Sequence, residues 1–187
     1  MKNYRLRITL MDIEPPIWRE IIVPGTITLA KLHTILQISM GWENYHIYLF
    51  EAGRRQYGEG NAEWADFGQK VMNAKRTLLE EVAQRKGEIL LYTYDMGDRW
   101  DHKIRVEEIA DGKPEKIRCL AGARSGPPED CGGPYGYQEL LEIIFDPKHP
   151  EHQERKEWLG DGFEPEAFDL QAVNRRLARL KLPTQAA

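Results

Sequence analysis

The chain has 187 residues, with 26 Lys and Arg against 30 Asp and Glu, a formal net charge of -4 and 41% hydrophobic residues. Such a chain builds a real core, as one domain of ordinary size, and its mildly acidic balance argues against wrapping nucleic acid by phosphate neutralisation alone. No apolar run approaches the about 18–20 residues of a membrane span. No apolar segment follows Met1–Arg7 to make a secretory signal, and two cysteines are too few for a disulfide framework, so a cytoplasmic setting away from membranes is expected.

Tyr4, Leu6, Ile8 and Leu10 alternate with Arg5, Arg7 and Thr9, the period of a strand with one buried face. Glu14-Pro15-Pro16 breaks the pattern, and Ile17 to Val23 returns as a partner strand closed by Pro24-Gly25. Thr28 is an expected N-cap for a helix carrying Leu29, Leu32, Leu36 and Met40 on one face, with Gly41 at its C-cap. His46 to Phe50 reads as a strand, with Arg55 to Gly58 able to pair with it, and Gly58 to Asn73 reads as a loop. A short helix over Leu78 to Gln84 precedes strands at Ile89 to Tyr94 and His102 to Ile109. Gly122 to Gly136 holds five glycines and three prolines in fifteen residues and is expected to lack regular structure. Helices are expected at Tyr137 to Phe145, Glu151 to Leu159 and Asp169 to Leu180, the last with Arg175, Arg176, Arg179 and Lys181 on its outer face. The fold class expected is α+β: a mixed, mostly antiparallel, β-grasp-like sheet packed on one helix, with C-terminal helices. One domain spans 1–187, as a sheet-plus-helix part (1–118), a Gly/Pro-rich loop (119–136) and a helical part (137–187).

Three segments carry more chemistry than a scaffold needs. In the first, His33 borders the buried face of the helix and His46 follows the Gly41-Trp42 turn. The plainer reading is two separate histidines, each hydrogen-bonded at the edge of the core. In the second, Tyr94-Asp95-Met96-Gly97-Asp98-Arg99-Trp100-Asp101-His102, Asp98 and His102 flank Trp100 and offer an oxygen and a nitrogen to a divalent metal. The same letters also spell a hairpin turn. In the third, Cys119 to Tyr137, Glu129 and Asp130 sit in a rigid-looking loop whose cysteines are twelve apart and form no CxxC pair. No catalytic template is complete. Ser39 and Ser125 are the only serines and neither lies in GxSxG. Of the two HxxR fragments, the first lies on an expected strand whose alternation throws His102 and Arg105 to opposite faces, and the second, at His152, has no tyrosine downstream to act as nucleophile.

Pro15-Pro16-Ile17-Trp18-Arg19, Leu32-His33, Met40-Gly41-Trp42, His46, the Tyr94–His102 segment, Pro127–Gly133 and Pro147-Lys148-His149-Pro150 together resemble the plasmid pRiA4b ORF-3-like family. The resemblance runs from about Tyr4 to about Leu177, with Met96 where the family usually has Phe. It implies an α+β domain without an established activity, bacterial relatives on plasmids and mobile elements, and for some of them the label of an insertion-element passenger TnpR protein. That label suggests a resolvase, but the first serine here, Ser39, falls inside an amphipathic helix.

The leading expectation is therefore an uncharacterised cytoplasmic protein acting as a non-catalytic binding module for a protein or small molecule. Its groove would be lined by Trp42, His46, Tyr94, Trp100, Pro128, Glu129 and Asp130. The alternative is a metal-dependent hydrolase or nuclease, its divalent metal held by ligands from His33, His46, Asp98, His102, Glu129 and Asp130. A DNA-associated accessory protein using the basic C-terminal helix ranks third.

Overall fold

The computed structural model describes residues 1–59, 70–113 and 115–180. The first elements are β1 (Lys2–Leu10), β2 (Trp18–Pro24), α1 (Leu29–Met40), β3 (Tyr48–Ala52), β4 (Arg55–Gly58), β5 (Val71–Asn73) and α2 (Leu79–Val82). There follow β6 (Ile89–Tyr94), β7 (Trp100–Asp111), β8 (Arg118–Ala123), α3 (Gly133–Phe145), α4 (His152–Leu159) and α5 (Leu170–Leu177).

The strands form one eight-stranded sheet in the order β5-β4-β3-β6-β7-β1-β2-β8. Every neighbouring pair is antiparallel except β4 and β5 at one edge. The α+β class is as the sequence implies, although the sheet is larger than the strand pattern alone suggests. β5 lies at the end of the expected Gly58–Asn73 loop, of which residues 60–69 fall outside the described residues. β8 and the first turn of α3 both enter the Gly/Pro-rich segment expected to be irregular. Gly122 is part of β8 because a bare Cα lets the strand pass beneath the Phe168 ring, which a Cβ there would overlap.

Period-2 alternation on β1 puts Tyr4, Leu6, Ile8 and Leu10 into the core, while Arg5 and Arg7 face outward and pair with Glu20 and Glu108. α1 covers the buried face with Leu29, Leu32, Ile35, Leu36 and Met40, each worth about 1.5–3 kcal/mol when fully buried. Thr28 caps it by accepting from the Lys31 N–H, and Gly41 ends it at φ 92°. Tyr137, Leu140 and Leu177 from the C-terminal helices join the same core. No helix among the described residues is long and apolar enough to cross a membrane.

Candidate metal centre

Three connections meet at one end of the sheet: the α1–β3 turn, the β6–β7 turn and the β8–α3 loop. The first and third are tied by side chains. Trp42 Nε1–H donates to the Pro127 carbonyl at 2.8 Å, and the Glu43 N–H donates to Glu129 Oε1 at 2.8 Å. The Tyr94 hydroxyl at the end of β6 joins both, accepting from the Tyr45 N–H at 3.0 Å and donating to Glu129 Oε1 at 3.1 Å. Gly126 lets the loop press against the end of α1, since a Cβ there would overlap the Met40 carbonyl.

This framework brings His46, Asp95 and Asp130 together, one from each connection. His46 Nε2 lies 2.9 Å from Asp130 Oδ1 and 3.5 Å from Asp95 Oδ2, and one ligand atom from each residue falls within 4.8 Å of the others. Asp95 follows β6 in a left-handed conformation, φ 57°. Its N–H still bonds the Ile47 carbonyl at 3.0 Å and its Oδ1 accepts from the Gly97 N–H at 2.8 Å, which leaves Oδ2 facing the histidine. Asp130 is also left-handed, φ 56°, and projects from the loop.

The imidazole nitrogen is sealed from solvent and makes no hydrogen bond, although two carboxylate oxygens lie within 3.5 Å. The oxygens are near but off the direction an N–H···O bond requires. Ligand atoms about 2.1 Å from one ion stand about 3.0 Å apart along an octahedral edge and about 3.4 Å along a tetrahedral one. The two measured separations, 2.9 and 3.5 Å, fall near these two edges, one at each. The donor set, one imidazole and two carboxylates, suits Zn²⁺, Mn²⁺ or Fe²⁺. The Asp95 side chain is 11% exposed, His46 29% and Asp130 66%, so one side of the centre opens to water. A cleft of about 160 Å³ opens beside Asp130, lined also by Glu139, Leu140, Arg155 and Trp158.

Two of the residues expected as ligands or acids, His46 and Asp130, come together, and Asp95 completes the group in the place considered for Asp98. Asp98 instead accepts from the Gly132 N–H at 3.1 Å, at the start of α3. His33 is buried with both ring nitrogens occupied, Nδ1 by the Tyr92 hydroxyl at 2.8 Å and Nε2 by Asn44 Oδ1 at 2.7 Å. His102 has no exposed surface, and its Nδ1–H donates to the Trp100 carbonyl at 2.8 Å. Burial holds both imidazoles neutral, at about 4. Both are hydrogen-bonded groups of the core; His33 fits the plainer reading of its segment, while His46, the other histidine of that reading, lies beside Asp95 and Asp130.

The Trp42 ring stacks on Tyr94 with centroids 4.9 Å apart and meets Trp100 in a tilted contact at 6.1 Å. Trp100 is sealed in the core; Trp42, Pro128 and Glu129 line a groove between α1 and α5. Burial, with Asp98 nearby, pushes the Cys131 thiol up to about 12, so it is protonated at neutral pH. On α5, Arg175 lies 3.8 Å from Asp169 and Arg176 lies 3.9 Å from Glu43, so two of the four cations considered for DNA already face carboxylates. Lys181 lies outside the described residues.

Asp95, the member of this group not singled out as a candidate from the sequence, is legible there only as turn chemistry. What makes it a donor is the positive φ that turns its carboxylate back toward His46, which residue spacing does not reveal. Comparison with known proteins extends the sequence resemblance. An uncharacterized protein, y4hQ, from Sinorhizobium fredii is 37% identical over 174 residues, covering 91% of this chain and 88% of its own. The crystal structure of MM3350 from Methanosarcina mazei Go1, a protein of unknown function, superposes with a TM-score of 0.80 at 36% identity, covering 91% of this chain and 96% of that one. The sequence model of the plasmid pRiA4b ORF-3-like protein family matches residues 2–172, and the chain belongs to that family.

Proposed function

We propose that the protein binds one divalent metal ion at His46, Asp95 and Asp130 and uses it for metal-assisted hydrolysis of a small ester or phosphoester. The observation that carries this reading is the sealed, unbonded His46 Nε2 between two carboxylates. Three protein ligands with a solvent-facing side are the arrangement of catalytic rather than closed structural centres. An ion held by His46, Asp95 and Asp130 would supply a bound water of lowered pKa, about 7 for Zn²⁺, and would polarise the bond under attack. The adjoining cleft supplies Trp158 for an apolar portion of the substrate and Arg155, itself paired with Glu151, for an anionic one.

The test pairs metal titration by calorimetry with turnover of bis-p-nitrophenyl phosphate and p-nitrophenyl acetate. Wild type should bind one equivalent of Mn²⁺ or Zn²⁺ and hydrolyse at least one substrate only when loaded. Asp95→Asn should weaken binding beyond the about 10–100-fold typical of outer-shell partners. Equal binding by wild type and Asp95→Asn would remove the centre, and tight binding without turnover of any ester would remove the chemistry. In that second case a binding module remains, the reading favoured by the groove along Trp42, Pro128 and Glu129.

A further inference from the structure

The groove between the end of α1, the Gly126–Glu129 loop and α5 is separate in chemistry from the metal centre. Its volume is about 320 Å³, within the range of small-molecule sites. Its walls are largely apolar, formed by Met40, Trp42, Pro127, Phe163, Phe168 and Val173. Arg19, on β2, also lines it and is only 2% exposed.

Arg19 is held with unusual completeness on one side. Its Nε–H donates to the Ser39 carbonyl at 2.7 Å, and Nη1 donates to the Trp18 and Ala123 carbonyls, each at 2.8 Å. The guanidinium carbon sits 4.2 Å from the centroid of the Phe168 ring. The two N–H groups on Nη2 have no partner among the described residues, and Nη2 is not one of the sealed unpartnered atoms, so it retains accessible surface on a residue that lines the groove. No carboxylate of the described residues lies within ion-pair distance of this cation. Burial lowers its pKa to about 10, which still leaves it charged at neutral pH.

A buried cation with carbonyl partners but no counter-charge lacks one favourable interaction, and a ligand anion entering the groove would provide it. We propose that this groove binds a small organic monocarboxylate with an apolar body, its carboxylate accepting from Arg19 Nη2 and its body lying against Trp42, Phe163 and Val173. The charged lining balances, Arg19 and Arg176 against Glu129 and Asp169, which suits a monoanion better than the more highly charged phosphate. Both acids have commitments of their own, Glu129 to Tyr94 and the Glu43 N–H, Asp169 to the Ala172 N–H. With only Nη2 free, Arg19 offers a carboxylate oxygen a single N–H donor, the second N–H on that nitrogen diverging from it, rather than a full fork.

The experiment measures octanoate and 4-phenylbutyrate binding to the full chain by calorimetry and thermal shift. Their uncharged amides and inorganic phosphate serve as comparison probes, all with chelator present so that a metal cannot be the receptor. The acids should bind at least about tenfold more tightly than the amides, as a hydrogen bond to a charged group requires, and phosphate should not bind. Arg19→Met should remove that preference. Because Arg19 also holds three carbonyls, Val173→Trp provides a variant that fills the groove while leaving the guanidinium intact, and it should abolish acid binding with unchanged circular dichroism. Equal affinity for acid and amide, tighter binding of phosphate, no binding of either acid, or undiminished binding by a folded Val173→Trp protein would each overturn the proposal.

Discussion

His33 and His102 make the protein's acid stability a direct test of the site's surroundings. Both are buried and held at about 4, against 6.5 in an unfolded chain, with burial the largest cause for each. The hydrogen bonds explain why neither accepts a proton easily. The Tyr92 hydroxyl accepts from Gln37 and gives its own proton to His33 Nδ1, so a protonated ring would leave two donors facing one another. His102 Nε2 is sealed without a partner, and a proton there would be a buried charge with nothing to receive it. Above pH 6.5 neither state binds these protons. As pH falls below that, the unfolded chain takes them up and the folded chain does not, so stability is lost progressively and levels off below about pH 4. Between pH 7 and pH 5 each histidine costs about 2 kcal/mol, and the pair about 4, against about 5–15 kcal/mol for the whole fold. Urea unfolding followed by tryptophan fluorescence at pH 7, 6 and 5 measures this directly, in a range above ordinary carboxylate titration. His33→Gln should remove about half of the pH dependence. A urea midpoint that stays constant from pH 7 to 5, or a variant as pH-sensitive as wild type, would refute the reasoning.

Other consequences follow from the contacts that hold the three connections together. Trp42→Phe leaves the Pro127 carbonyl without its donor and should cost about 1–3 kcal/mol by urea unfolding, with weaker metal binding as the turn and loop separate; unchanged values in both assays would contradict the coupling. Gly126→Ala should destabilise by about 1–3 kcal/mol, because its Cβ meets backbone atoms of Met40 that have no room to withdraw. At pH 8 neither Cys119 nor Cys131 should react with a disulfide reagent until urea unfolds the chain, since burial raises both thiols. One equivalent reacting within minutes in native protein would show that reading of Cys131 to be mistaken.

The sequence was most informative where one periodicity acts alone. β1 reads off Tyr4, Leu6, Ile8 and Leu10 because a half-buried antiparallel strand imposes strict alternation, and α1 reads off its apolar stripe with Thr28 and Gly41 as ends. The Gly/Pro-rich segment was misleading because its glycines serve close packing rather than flexibility. Gly122 sits under Phe168 within a strand, and Gly133 begins a helix at φ 70° against the Asp98 carbonyl. The site was partly visible. His46 and Asp130 stood out by residue type, while Asp95 needed backbone geometry to be seen. His33 and His102 drew attention for the same reason as His46, and only their hydrogen-bond partners separate core histidines from a donor left open. Arg19 lay in a recognisable motif, Ile17-Trp18-Arg19, but nothing in the sequence indicates that its cation is buried without a carboxylate.

The measurement that bears most directly on the metal centre is anomalous diffraction from crystals of the full chain soaked in Mn²⁺, recorded on wild type and Asp95→Asn. The account predicts a single strong peak about 2.0–2.3 Å from His46 Nε2 and from a carboxylate oxygen of both Asp95 and Asp130, lost or greatly weakened in the variant. Wild-type crystals with no peak among these three residues, or with His46 Nε2 turned into an ordinary hydrogen bond to Asp130, would contradict it.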